Sequence, residues 1–233
     1  MKIERGSPIE YGLYGAKARL DKLNSIYFIN SGVALDLGAG KGVYSKILAQ
    51  KKVRIFSTDI NYEFIKDIDK STPNLYLSVS DATKLPFKDL SFNYVFAIET
   101  LEHVEGLDGA LEEIKRVVKN EGIIYITIPN KFFPLETHHV YFFKKKIDGR
   151  LVPFLSMFDL IHKKIGSARR FSIKELQNIF QKKDFSLIGW DYLMPVFDNF
   201  KFGKKYFKPI TDFIGKTKFK FISPTLIAVF KKN

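Results

Sequence analysis

Residues 34–49 read ALDLGAGKGVYSKILA. An apolar run holding one aspartate, Asp36, gives way to glycines at 38, 40 and 42, and then to apolar residues at helical spacing. A buried strand, a glycine turn and a helix form the first unit of a nucleotide-binding α/β fold. The glycines let the backbone approach a ligand closely, and the helix N-terminus that follows offers free N–H groups and a positive dipole end. The order Gly38-Ala39-Gly40-Lys41-Gly42 is G-x-G-x-G, not the G-x-G-x-x-G of dinucleotide sites, and no G-x-x-x-x-G-K-[ST] loop occurs.

The rhythm continues. Segments 33–37, 53–59, 75–81, 92–98 and 122–129 read as strands, and 13–29, 41–50, 61–69 and 107–119 as helices. Strands alternating with helices imply right-handed crossovers and a parallel sheet covered on both faces. After Pro129 the pattern breaks. Residues 131–170 are basic, aromatic and irregular, with a helix expected near 154–165. Helical spacing returns over 171–185, where Ser172 and Glu175 have the capping-box spacing. Strands follow at 186–193 and 225–232, around a second basic and aromatic stretch at 195–222. The expectation is one domain over 1–233: an N-terminal helical segment (1–32), a core (33–130, completed by 171–194 and 223–233) and two cap insertions (131–170 and 195–222).

The ordered motifs are what carry a family resemblance. The glycine loop is followed by Asp59 at the end of the second strand, then by Asp81-Ala82 and TKLPF, FNYVFAIETLEHV and NEGIIYITIPN. This set resembles the class I S-adenosylmethionine-dependent methyltransferases, in particular their broad small-molecule branch. The resemblance spans 33–129 and extends to 171–193 and 224–231, but not to the insertions. It implies a Rossmann-like, seven-stranded doubly wound sheet, mostly parallel with the last strand antiparallel. It implies S-adenosyl-L-methionine as cofactor, with Asp36, Gly38, Ala39 and Gly40 lining its methionine end. Asp59 would hold the ribose, Ile60 the adenine face, and Asp81 the adenine amino group beside Ala82. Glu99 would border the transferring methyl, and His103 would sit near the cofactor pocket. Asn93 replaces the family's usual aspartate, and Asn120-Glu121 replaces its P-x-G proline; both departures look structural.

The acceptor is narrowed by exclusion. The chain has no cysteine, which removes disulfides, thiolate metal sites and cytosine-C5 chemistry. Ile98-Glu99-Thr100-Leu101 stands where amino-directed nucleic-acid enzymes carry [DNS]-P-P-[YFW]. An oxygen, nitrogen or carbon of a small-molecule or lipid-like acceptor remains. His138 and His139, beside Glu136, are candidates for binding that acceptor or taking its proton. Tyr11 and Tyr14 could close over the cofactor from the N-terminal side. No H-x₃₋₄-H pair occurs, so no metal site is expected.

Charge points to the insertions. There are nine basic and three acidic residues in 131–170, and nine and two in 195–233; elsewhere the signs balance, so these segments hold the whole net charge of +13. Such a field attracts phosphates, carboxylates, nucleic acid or anionic headgroups. Lysines interleave with phenylalanines over 197–221, which fits an ordinary cap, an anionic membrane or RNA. Arginine is absent from 195–233, which weighs against bidentate phosphate recognition. No apolar run reaches membrane-spanning length and no signal-peptide core follows Met1. The expected protein is cytoplasmic, with peripheral membrane contact through the insertions. RNA-directed methyl transfer, or cofactor binding without catalysis at a membrane or nucleic acid, are the alternatives. The sequence leaves oligomeric state open.

Overall fold

The computed structural model describes residues 13–50, 53–142, 145–155, 158–195 and 203–233. Its centre is a seven-stranded sheet of β1 (Gly32–Leu37), β2 (Val53–Asp59), β3 (Leu75–Val79), β4 (Phe92–Ile98), β5 (Val118–Pro129), β8 (Phe185–Leu193) and β9 (Thr225–Lys232). The strand order is β3-β2-β1-β4-β5-β9-β8. Strands β1 to β5 pair in parallel, and β9 runs antiparallel to both β5 and β8. The expected mostly parallel sheet with an antiparallel last strand is therefore present.

Helices cover both faces because inner strands are apolar on both. Leu35, Leu37, Val95, Ala97, Ile124 and Ile126 cluster with Leu111 and Ile114 of α4 (Leu107–Val117) and Leu176 and Phe180 of α6 (Ile173–Gln181). Ala34, Phe96, Ile98 and Tyr125 cluster instead with Leu20 and Leu23 of α1 (Leu13–Ile26), Leu48 of α2 (Val43–Ala49) and Ile65 of α3 (Tyr62–Ile65). The period-2 alternation of a strand assigns each residue to its face. Each fully buried Leu, Ile or Phe contributes about 1.5–3 kcal/mol. The capping box at α6 forms as its spacing predicts: Ser172 Oγ accepts from the Glu175 N–H at 3.3 Å, and Glu175 Oε2 accepts from the Ser172 N–H at 2.8 Å.

Some boundaries differ from the sequence expectation. α3 ends at Ile65 rather than near 69, and the Ile68 N–H bonds Ile65 C=O in a tighter turn that drives Ile68 inward. β5 starts at Val118, four residues early, because Val118 pairs with Phe92. A register shift then absorbs the extra residues, with Glu121 at φ 63°. The departure at Asn93 has a structural reason too. Its Oδ1 accepts from the Val33 N–H at 3.1 Å, a task any side-chain carbonyl or carboxylate oxygen can do.

The first insertion is more ordered than its sequence suggests. It holds an antiparallel hairpin of β6 (His139–Phe142) and β7 (Lys145–Asp148), then α5 (Asp159–Ile165). Residues 143–144 are Phe-Lys, without the Asn-Gly chemistry that flags a hairpin. The second carries α7 (Lys208–Gly215) with Pro209 in its first turn. No described helix is long and apolar enough to cross a membrane.

Candidate functional site

The strand order reverses between β1 and β4, and loops from the carboxyl ends of those strands meet there. Open α/β sheets bind ligands at such a point. Thr100 Oγ1 ties the two ends together by donating to Leu37 C=O at 2.9 Å.

The glycine loop is shaped mainly by its own chain. Gly38 and Gly42 both have φ 73°, and Gly40 has φ 53°. A Cβ at Gly38 would lie 2.4 Å from Thr100 Cγ2, and one at Gly42 would lie 2.7 Å from Ile68 Cδ1. The loop amides are likewise bonded internally. The Gly38 and Ala39 N–H groups donate to Thr58 C=O at 2.8 and 2.9 Å. The Gly40 N–H donates to Asp59 Oδ2 at 2.9 Å, and Gly42 N–H to Ala39 C=O at 2.9 Å. The loop is thus a ledge held against the end of β2 by its own backbone hydrogen bonds.

The expected cofactor residues fall into two groups. Asp59 ends β2, Ile60 follows it with 69% exposure, and Asp81 and Ala82 lie just beyond β3. Asp59 Oδ1 accepts from the Asn61 N–H at 2.9 Å, so each of its oxygens keeps a further lone pair. Asp81 is exposed, and its Oδ1 accepts from the Thr83 N–H and hydroxyl at 2.8 and 2.9 Å. Asp36 is different. It is buried beneath the loop and accepts from Ser45 Oγ at 2.5 Å, with Ser57 Oγ donating to Ser45 Oγ at 2.9 Å. Burial pushes its carboxyl up to about 6 against that hydrogen bond, and the charge of Asp59 adds to the rise.

Glu99 follows β4 at φ 51°, a left-handed conformation unusual outside glycine. It is held there by its neighbours. Its N–H donates to Thr127 C=O at 3.0 Å, its Oε1 accepts from Thr127 Oγ1 at 2.9 Å, and Arg19 Nε lies 3.6 Å from Oε1. Sequence reasoning missed Arg19. A signal existed, since Arg19 falls on the apolar stripe formed by Ala16, Leu20 and Leu23 of α1.

One turn further, Glu102 is fully buried and neither of its carboxylate oxygens accepts a hydrogen bond. Burial, and then the charge of Glu99, hold its carboxyl well above the usual carboxylate range. His103 Nε2 lies 3.9 Å from Glu102 Oε1, and the His103 ring stands edge-on to that of His138 at 5.2 Å. Glu102, His103 and His138 each offer a ligand atom within 4.8 Å of the others. Spacing rules for metal sites did not find this group, because 35 positions separate His103 from His138. The structure separates the two adjacent histidines: His138 is buried and His139 exposed. His138 is fixed through Glu136, whose Oε1 accepts from the His138 N–H at 2.9 Å. Glu136 also bonds His162 Nε2 at 2.7 Å and Arg170 Nη2 at 2.9 Å. Tyr11 lies outside the described residues.

Comparison with known proteins agrees with the fold. A family model described as a methyltransferase domain matches residues 35–126. A demethylmenaquinone methyltransferase of Streptomyces avermitilis is 37% identical over 92 residues, which are 40% of this chain and 40% of that protein. A human mitochondrial arginine-hydroxylase is 30% identical over 95 residues, 40% of this chain and 28% of that protein. The matched segment thus spans less than half the length of these curated relatives. A solved S-adenosylmethionine-dependent methyltransferase from Mesorhizobium loti superposes with a TM-score of 0.67 at 15% identity, over 95% of this chain and 100% of that one. Residues 35–126 thus match a methyltransferase domain, and the chain has the fold of the class I S-adenosylmethionine-dependent methyltransferases.

Proposed function

We propose that the protein transfers a methyl group from S-adenosylmethionine to an oxygen, nitrogen or carbon of a small-molecule or lipid-like acceptor. The observation that carries the reading is that Asp59 ends β2 and holds the glycine loop through the Gly40 N–H, while Ile60, Asp81 and Glu99 follow the ends of β2, β3 and β4. An isoleucine left 69% exposed beside a carboxylate suits an adenosine, with an apolar face for the base and an acceptor for ribose hydroxyls. Asp59 would hold the ribose, Ile60 and Ala82 the adenine faces, and Asp81 the adenine amino group. The bound cofactor supplies a methyl already activated on sulfonium sulfur. The chain's share is to align the acceptor and keep water out. Glu99, locked by Thr127 and Arg19, gives that side of the site a fixed negative wall.

Titration calorimetry tests this directly. S-adenosylmethionine and S-adenosylhomocysteine should bind at micromolar Kd. Asp59→Ala should weaken both by about tenfold to a hundredfold, the loss expected for hydrogen bonds to a charged group. Asp81→Ala should cost about tenfold. Unchanged affinity in either variant removes that residue's role. Binding without product across an acceptor panel would favour the non-catalytic alternative.

The lipid-like acceptor rests on α7. None of its described side chains is buried, and Phe207, Ile210 and Phe213, at three-residue spacing, are 45, 56 and 70% exposed. Phe219 and Phe221 extend the apolar surface, and Lys205, Lys208, Lys216 and Lys218 flank it. Aromatics beneath a lysine fringe suit an anionic bilayer surface, each lysine near it contributing about 1 kcal/mol. The protein should pellet with vesicles containing phosphatidylserine and not with neutral ones. Phe213→Ser should reduce pelleting severalfold. Equal pelleting with both vesicle types, or RNA binding that outcompetes anionic vesicles, would reject the membrane reading.

A further inference from the structure

We propose that Glu102, His103 and His138 form a binding site for one divalent first-row transition-metal ion. The three ligand atoms already lie within 4.8 Å of one another. Ligands on one ion at bonds of 2.0–2.2 Å are spaced by about 3–3.5 Å, so closure needs side-chain shifts of about an ångström.

The buried polar atoms supply the independent argument. Glu102 is 0% exposed, yet neither carboxylate oxygen accepts a hydrogen bond. Nε2 of His138 is also buried without a hydrogen-bond partner. Leaving such groups unsatisfied costs about 1–3 kcal/mol each, more when charged. A single cation between them would satisfy all three atoms at once.

The surroundings prepare the ligands. Nδ1 of His138 lies 3.1 Å from Thr137 Oγ1 and 3.7 Å from Glu136 Oε1. A proton held on Nδ1 leaves the buried Nε2 lone pair free to bind an ion, as second-layer partners do at metal-bound histidines. Glu136 is anchored by Arg170 and His162, so the ring has little freedom to turn away. Glu102 is fixed by its own backbone, whose C=O accepts from the Arg169 N–H at 3.0 Å. Two imidazoles and one carboxylate favour zinc, iron, cobalt or nickel over magnesium and calcium, which prefer oxygen alone. Three protein ligands leave a coordination position open for a small molecule.

The test uses the full chain without a histidine tag, stripped by chelator. Cobalt(II) titration should give one equivalent per chain and the visible absorption of a bound, low-coordinate ion. Glu102→Gln and His138→Ala should each lower cobalt affinity by about a hundredfold, while His139→Ala, at an exposed neighbour, should leave it unchanged. Should those variants lose their fold by circular dichroism, the wild type still decides. Zinc at a hundredfold excess over Kd should raise its stability by the linkage amount, and its thermal midpoint accordingly. No visible cobalt band, no midpoint shift, or equal affinity in folded Glu102→Gln would overturn the site and leave the group a proton-sharing cluster only. None of these readouts depends on S-adenosylmethionine, so failure here and failure of the methyl-transfer reading remain distinguishable.

Discussion

Gly38→Ala should abolish measurable cofactor binding and destabilise the protein by about 3 kcal/mol or more. Two effects combine. The residue sits at φ 73°, where a side chain costs about 1–2 kcal/mol. The new Cβ would also lie 2.4 Å from Thr100 Cγ2 and 2.6 Å from Thr100 Oγ1. Thr100 cannot swing aside freely. It is β-branched, and its hydroxyl holds Leu37 C=O at 2.9 Å. Either the threonine moves and β4 parts from β1, or the loop lifts from Thr58 and displaces the ledge. Gly42→Ala meets the same φ but only the Cδ1 tip of Ile68, at 2.7 Å, so it should cost markedly less. Thr100→Ser in the Gly38→Ala background removes the clashing methyl and keeps the hydroxyl. It should recover the part due to Cγ2 and leave the hydroxyl contact at 2.6 Å and the φ cost, a partial coupling visible in a double-mutant cycle. Urea denaturation of the four proteins measures it. Equal cost for Gly38→Ala and Gly42→Ala, or no recovery by Thr100→Ser, would sink the steric account.

That contrast explains what the glycine loop did and did not disclose. Its spacing announced the turn and the sheet, because strand, turn and helix periodicities are local. Strands 53–59, 92–98 and 225–232 occur with the expected ends, since β-branched and aromatic residues concentrate there between turn residues. The reason two of the glycines must be glycine was not local. It lies at Thr100 and Ile68, brought in by β4 and by the turn after α3. Asp36 shows the same limit. That it is buried, accepting a hydrogen bond from Ser45 Oγ of α2, is visible only in the folded chain. The hairpin β6–β7 and helix α7 stayed hidden because basic and aromatic residues follow neither periodicity cleanly. The grouping of Glu102, His103 and His138 joins the loop after β4 to the first insertion, a contact that only the folded chain makes.

Glu136→Gln should cost about 3–5 kcal/mol, the usual loss when one partner of a buried ion pair goes. Glu136 and Arg170 are both nearly inaccessible, at 1% and 2% side-chain exposure. A glutamine there would turn an amide toward His162 or Arg170, both donors, and leave the guanidinium charge without its counter-charge. The pH dependence has a definite sign. Burial alone would raise the Glu136 carboxyl, but hydrogen bonds from His138 and His162 and the charge of Arg170 outweigh it and hold the group well below its ordinary 4.5. A depressed folded value contributes stability that is present above 4.5 and lost as pH falls further. Wild type should therefore lose stability on acidification below that value, and Glu136→Gln should lack this component of the slope. The loss should concentrate in the first insertion, because Glu136 joins His138 beside β6 to His162 in α5 and to Arg170 before α6. Amide hydrogen exchange should show 139–142, 145–148 and 159–165 opening before the central sheet does. It should also loosen His138, so cobalt affinity should fall by about tenfold, the effect of a lost second-layer partner. A variant with unchanged stability, acid slope and exchange would make the buried carboxylate a bystander, and the first insertion would have to be held by its apolar contacts alone.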